Sequence, residues 1–144
     1  MFEALKYNVS YSNLQFNLPK IVDDIKKFLD TTKKLVLVGV PRGGLYLTQD
    51  LSYLLDTNFI ILADSFEGLI SKLVSDLNEY QILVCDDIYD TGKRYKEFDA
   101  LWEHPQNRMV VQIARYKDSL PKNVIYGDTL EHNEYVWFPW ELQN

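Results

Sequence analysis

Ile82-Leu83-Val84-Cys85 is an unbroken apolar run that stops at Asp86-Asp87, with Asp90-Thr91-Gly92-Lys93-Arg94 close behind. A strand this apolar has to be covered on both faces, as the inner strands of a parallel sheet are. Leu35 to Val40 is a second such run, and it stops at Pro41-Arg42-Gly43-Gly44. Two buried strands that each deliver charged and glycine residues at their ends restrict the chain to a layered α/β arrangement. Ligands of such sheets sit beyond the carboxyl ends of the strands.

The rest of the chain alternates accordingly. Tyr7 to Phe16 is β-prone and polar-interleaved, so an N-terminal arm or edge strand is expected there. Pro19 is expected to open a helix, because Ile21, Val22, Ile25, Phe28 and Leu29 recur at helical spacing. Leu45 to Leu55 suits a helix, Phe59 to Leu62 a short strand, and Phe66 to Leu77 a helix with a clear apolar stripe. Lys93 to Trp102 reads as a helix and Met109 to Ala114 as a strand. Short strands are expected at Asn123 to Tyr126 and at Tyr135 to Phe138. Strands alternating with helices predict βαβ units and a mainly parallel central sheet flanked by helices. With 144 residues and no repeat or linker, one domain over 1–144 is expected.

A net charge of −6 argues against a nucleic-acid-binding face, which needs a basic surface. It leaves room for an anionic small molecule held locally by backbone amides and one or two cations. Cys85 is the single cysteine, so no disulfide framework exists within the chain. The first ten residues lack the apolar core of a signal peptide, and no apolar run is long enough to cross a membrane. A cytoplasmic protein is therefore expected. Cys85, preceding two acids, reads as a small core residue rather than a nucleophile. His104 and His132 lack ligand-spaced partners and read as surface residues. Trp137 and Trp140 read as packing or dimer-contact residues.

The two strand ends carry the chemistry. Glycines at Gly43-Gly44 let a backbone approach a ligand closely, and Arg42 adds a planar fork of donors, so this turn suits a pyrophosphate. At the other end, Asp86 and Asp87 can accept from vicinal ribose hydroxyls or help hold Mg²⁺. Thr91 and Gly92 supply a hydroxyl and an unencumbered backbone for a monophosphate. A solvated acidic turn with an Asp helix cap accounts for one of these aspartates. It does not account for three aspartates, a Thr-Gly and a basic pair after an apolar strand.

LVCDDIYDTGKR resembles the phosphoribosyl-pyrophosphate signature of the type I phosphoribosyltransferases. Pro41-Arg42-Gly43-Gly44-Leu45 is similar to the pyrophosphate loop of their xanthine–guanine branch. Tyr135 to Glu141 resembles the aromatic–x–x–x–Pro–Trp–acid ending of the purine branch, and Tyr7 to Gln15 its N-terminal segment. The resemblance implies the family's α/β fold with a small C-terminal base-binding hood. It implies transfer of phosphoribosyl from phosphoribosyl pyrophosphate to a 6-oxopurine with Mg²⁺, and a homodimer or homotetramer. Asp90 would be the catalytic base, and Asp86, Asp87, Asp90, Thr91, Gly92, Lys93 and Arg94 would bind the ribose 5-phosphate. Asp86 and Asp87 would also serve the metal. Arg42 and Gly43 would bind pyrophosphate, and Arg115 (with Lys117 as substitute), Tyr135 and Val136 the base. The peptide before the loop arginine, here Pro41–Arg42, is cis in some members. Three departures stand out: Arg94 replaces the usual threonine, Asp64 to Tyr80 is short for a mobile lid, and Tyr135 replaces a tryptophan. Arg94 and the short lid segment motivate an alternative in which the same pocket senses phosphoribosyl pyrophosphate or a nucleotide without turnover.

Overall fold

The computed structural model of the chain describes residues 6–141; the remaining residues of the expected 1–144 domain, including the first five of the polar N-terminus, lie outside the described residues. Among the described residues, seven strands and four α-helices follow in the order β1 (Lys6–Asn8), α1 (Tyr11–Lys26), β2 (Lys34–Gly39), α2 (Gly44–Leu54), β3 (Ile60–Leu62), α3 (Phe66–Ile70), β4 (Tyr80–Tyr89), α4 (Lys93–Glu97), β5 (Arg108–Arg115), β6 (Val124–Leu130) and β7 (Tyr135–Trp137). Five strands form one all-parallel sheet in the order β3-β2-β4-β5-β6. The expected parallel α/β architecture is what the chain adopts. β1 and β7 pair separately, also in parallel, as a two-stranded unit.

The unbroken apolar runs are buried on both faces. Leu37, Leu83 and Cys85 pack against Leu18, Ile21 and Ile25 of α1 and Leu47 and Leu51 of α2. Val36, Val38, Ile82 and Val84 point the other way, onto Leu69, Phe98 and Leu101. Period-two alternation thus splits one apolar sequence between two cores. Each fully buried Leu or Ile contributes about 1.5–3 kcal/mol of transfer free energy, so β2 and β4 form the rigid centre of the fold. Among the described residues, no helix is long and apolar enough to cross a membrane.

Several elements differ from expectation. α1 starts at Tyr11, eight residues before Pro19. Ser10 caps it: the Ser10 hydroxyl accepts from the Asn13 amide at 3.1 Å, and Asn13 Oδ1 accepts from the Ser10 amide at 3.1 Å. Pro19 falls inside the helix on an exposed face, where water can reach the Gln15 carbonyl that loses its amide partner. The stripe from Phe66 to Leu77 gives only one α-helical stretch, which Ser65 caps by accepting from the Gly68 amide. Beyond it the bonds tighten to three-residue steps at Lys72 and Leu73, and Val74 is exposed. Ser71, Ser75, Asp76 and Asn78 compete for backbone there, which favours turns over a continued helix. The helix expected over Lys93 to Trp102 breaks at Phe98 into α4 and a 3₁₀ stretch, Asp99–Glu103. β4 runs past Cys85 to Tyr89, so Asp86 and Asp87 lie on the strand itself.

Candidate functional site

α2 carries the chain from β2 outward to β3, whereas α4 carries it from β4 the opposite way to β5. The loops after β2 and β4 therefore diverge, and their divergence opens a crevice at the carboxyl edge of the sheet. That is where a doubly wound sheet binds its ligands. Arg42-Gly43 and Asp86-Asp87, the two charged strand ends of the sequence, meet at this point.

Their contact is close. The Pro41–Arg42 peptide is cis. The Gly44 amide donates to the Val40 carbonyl at 2.9 Å, and the Val40 amide donates to the Cys85 carbonyl at 3.0 Å. A Cβ at Gly43 would lie 2.0 Å from Asp87 Oδ2, and one at Gly44 would lie 2.2 Å from the Cys85 carbonyl oxygen. Only glycine lets the first turn of α2 rest on the end of β4. Gly44→Ala would press a methyl into a backbone atom of the central strand, and overpacking of this kind costs about 1–3 kcal/mol. A lower urea midpoint is expected; an unchanged midpoint would mean that the loop does not rest on β4.

Beyond Asp87 the chain turns through Asp90-Thr91-Gly92 into α4. Gly92 has φ 82°, in the left-handed region, which glycine adopts without steric cost. A cleft of about 170 Å³, room for a phosphate, is lined here by Asp86, Asp90, Thr91, Gly92, Lys93 and Arg94. Thus every residue expected around the ribose phosphate lines this cleft except Asp87, which faces Gly43. Arg94 is held by an ion pair to Glu97 and donates to the Asp64 carbonyl at 3.1 Å, which links α4 to the segment after β3. A larger groove of about 550 Å³ between α2 and β3, lined by Gln49, Tyr53 and Asn58 among others, contains none of the expected site residues.

The two carboxylates at the end of β4 are desolvated. Burial first, and the neighbouring Asp87 second, push the Asp86 carboxyl up to about 7. Burial also raises Asp87, with Glu141 adding to the effect. Cys85 is buried beneath them, and burial pushes its thiol up to about 12, so it is a core residue and not a nucleophile. Among the described residues, no three or more ligating side chains cluster as a closed metal site.

The β1–β7 pair forms a shelf at the end of the chain. The Val9 amide donates to the Trp137 carbonyl at 2.9 Å, so the peptide groups of Trp137 face β1. Peptide groups alternate along a strand, which leaves the Val136 N–H and C=O on the open edge. Tyr135 is half exposed, and its hydroxyl donates to Glu141 Oε2 at 3.2 Å. The Glu141 carboxylate, followed by burial, raises the Tyr135 phenol. Trp140 stacks between Phe138 and Tyr46, with ring centroids 4.9 and 4.4 Å apart, and so ties this shelf to the first turn of α2. That is the packing role expected for Trp140. His132 is half-buried; its ring stands 5.7 Å from Tyr7, and its Nδ1 accepts from the Glu134 amide.

Arg115, expected to face the base, is 6% exposed at the end of β5. Its Nε lies 3.0 Å from Asp90 Oδ1, and its two terminal nitrogens donate to the His132 and Glu134 carbonyls at 2.6 Å each. Lys117, its expected substitute, is exposed. The sequence gives no sign of this ion pair. Two of the acceptors are backbone atoms, and the third lies 25 positions away.

The fold has close counterparts. A purine phosphoribosyltransferase from Pyrococcus horikoshii superposes with a TM-score of 0.72 over 96% of each chain at 20% identity. The Helicobacter pylori xanthine–guanine–hypoxanthine phosphoribosyltransferase matches with a TM-score of 0.72 at 18% identity, over 96% of this chain and 93% of that one. A hypothetical protein from Neisseria gonorrhoeae, determined with bound ppGpp, matches with a TM-score of 0.69 at 16% identity, over 99% and 92%. No protein-family model and no curated protein sequence matches the chain. The chain has the fold of the type I purine phosphoribosyltransferases.

Proposed function

We propose that the protein transfers the 5-phosphoribosyl group from phosphoribosyl pyrophosphate to a 6-oxopurine, releasing pyrophosphate and a purine nucleoside monophosphate. What supports this reading is that the Arg42-Gly43 turn and the cleft lined by Asp90 to Arg94 flank the carboxylates at the end of β4. A sugar bearing phosphate at one end and pyrophosphate at the other needs two such seats with hydroxyl acceptors between them.

In this reading Thr91, Gly92, Lys93 and Arg94 hold the 5′-phosphate, and Arg42 and Gly43 hold the pyrophosphate. Asp86 and Asp87 accept from the ribose hydroxyls. The bond from the anomeric carbon to the pyrophosphate oxygen breaks as a bond to a base ring nitrogen forms, through an oxocarbenium-like state. The proton displaced from the base's imidazole ring passes to Asp90. Tyr135 stacks on the base, and the Val136 N–H and C=O read its edge.

Mg²⁺ fits the residues present. Two adjacent carboxylates, both raised by burial, gain from a cation, and the absence of a third ligating side chain among the described residues suits an ion held through waters and substrate phosphates. Asp86 and Asp87 would hold it, and it would neutralise charge on the departing pyrophosphate.

The test is incubation of the protein with phosphoribosyl pyrophosphate, Mg²⁺ and guanine, hypoxanthine or xanthine, followed by chromatography for the monophosphate. Absence of product with every base, despite measurable sugar binding, overturns the reading. Tyr135→Ala is expected to weaken base binding by about 1–3 kcal/mol, the usual worth of aromatic stacking, with sugar affinity retained. Unchanged base affinity in calorimetry would remove the stacking role.

The Neisseria gonorrhoeae structure with bound ppGpp favours a second reading, in which the same pocket holds a nucleotide without turnover. Tight nucleotide binding by a protein that forms no product with any base would select it.

A further inference from the structure

Among the described residues, Arg115 is one of six that are polar or charged and buried, and its side chain joins three segments distant in sequence. Nε meets Asp90 in the loop after β4, and the terminal nitrogens meet the carbonyls of His132 and Glu134, immediately before Tyr135. Two of its N–H donors are thus hydrogen-bonded to backbone carbonyls, and its Nε side faces the Asp90 carboxylate as an ion pair. The 131–134 segment is braced from outside as well. The Lys117 amide donates to Glu131 Oε1 at 3.1 Å, and the Tyr116 hydroxyl donates to Asn133 Oδ1. Asp90, in contrast, has a side chain 55% exposed, and Arg115 is the only cation within ion-pair distance of it among the described residues.

We propose that Arg115 is a positioning residue that holds Asp90 and the entry to the Tyr135–Val136 shelf in one fixed relation, rather than a contact to the base. The proposal rests on the transferase reading and assigns Arg115 a task within it. A proton acceptor works only within hydrogen-bond reach of the proton it takes. An exposed aspartate on a loop would sample several rotamers; a planar guanidinium anchored on two carbonyls removes that freedom. Since those carbonyls lead directly into Tyr135, the same group sets where the base lies relative to Asp90. A lysine keeps the charge but lacks the planar fork that meets three acceptors from three directions.

The test is a double-mutant cycle with Asp90→Asn, read in kcat and in KM for each substrate, together with amide hydrogen exchange of the free protein. Arg115→Lys is expected to lower kcat by at least tenfold, with KM for the sugar within about twofold and no further loss in the Asp90→Asn background. Amides of residues 131–137 should exchange at least tenfold faster in Arg115→Lys. Losses that multiply with Asp90→Asn would overturn the proposal in favour of a direct base contact. Unchanged exchange would overturn the clamp. If wild-type protein makes no product, the transferase reading fails and the catalytic half of this proposal fails with it, while the exchange measurement still decides the clamp. Should Arg115→Lys not fold, Asp90→Ala removes the ion pair from its exposed side. Faster exchange at 131–137 is then expected, and no change would overturn the clamp.

Discussion

Asp90→Asn is expected to lower kcat for nucleotide formation by roughly 10²–10⁴-fold, the usual worth of a positioned proton acceptor. Affinity for phosphoribosyl pyrophosphate should stay within about twofold. The amide has the shape of the carboxylate and keeps an oxygen facing Arg115 Nε, now 3.0 Å from Asp90 Oδ1. It loses the negative charge, and with it the capacity to take a proton from the base. Asp90 is more than half exposed, but its partner Arg115 is buried, so the substitution leaves a buried cation without its counter-charge and the unfolding midpoint should fall; kinetics are compared well below that midpoint. Steady-state kinetics paired with calorimetric titration of the sugar separate the two quantities. Wild-type turnover in the variant would remove Asp90 as the proton acceptor. A parallel loss of sugar binding would assign it to the phosphate loop alone.

The central sheet was legible because its signal is local. Apolar runs of the length of Leu35 to Val40 and Ile82 to Cys85 need cover on two faces, and only a layered parallel sheet provides it. The residues after each run were legible as a site because three aspartates, a Thr-Gly and a basic pair after an apolar strand exceed what a turn requires, although Gly43 and Gly44 also serve the packing of α2 on β4. What escaped the sequence depends on contacts between distant segments. The Ser10–Asn13 capping box starts α1 at Tyr11, but Pro19 carries the stronger start signal in the sequence. β4 continues through Asp86 to Tyr89 because β5 extends beside it, pairing Asp86 with Val111 and Tyr89 with Ala114. A polar sequence alone would not predict strand there. The stack of Trp140 on Tyr46 spans most of the chain, and neither residue's neighbours announce it. The family resemblance makes Arg115 a candidate base contact at the end of β5, yet its partners are a loop carboxylate and two carbonyls, which no residue-type pattern encodes.

The end of β4 should make stability depend on pH and on Mg²⁺ in opposite senses. In the unfolded chain the Asp86 carboxyl titrates near its ordinary 3.8, whereas burial and Asp87 push it to about 7 in the fold. Between those values the folded protein keeps a proton that the unfolded chain has released. By linkage, stability then falls as pH rises through that window, and the contribution present below about pH 4 is gone above pH 7. The loss attributable to this site is on the order of 2–4 kcal/mol at pH 8. Carboxylates held below their usual range, such as Asp30 through its Thr32 hydrogen bonds, slope the other way, so the comparison must be with Asp86→Asn and not with wild type alone. Urea unfolding at pH 4, 5.5 and 8 in a metal chelator should show wild type losing ground to Asp86→Asn as pH rises. Millimolar Mg²⁺ at pH 8 should restore wild type, because the cation favours the ionised carboxylates that burial penalises, and should do little for the variant. Parallel pH profiles for the two proteins would mean that Asp86 is not held protonated by its surroundings. Equal Mg²⁺ stabilisation of both would move the metal away from Asp86.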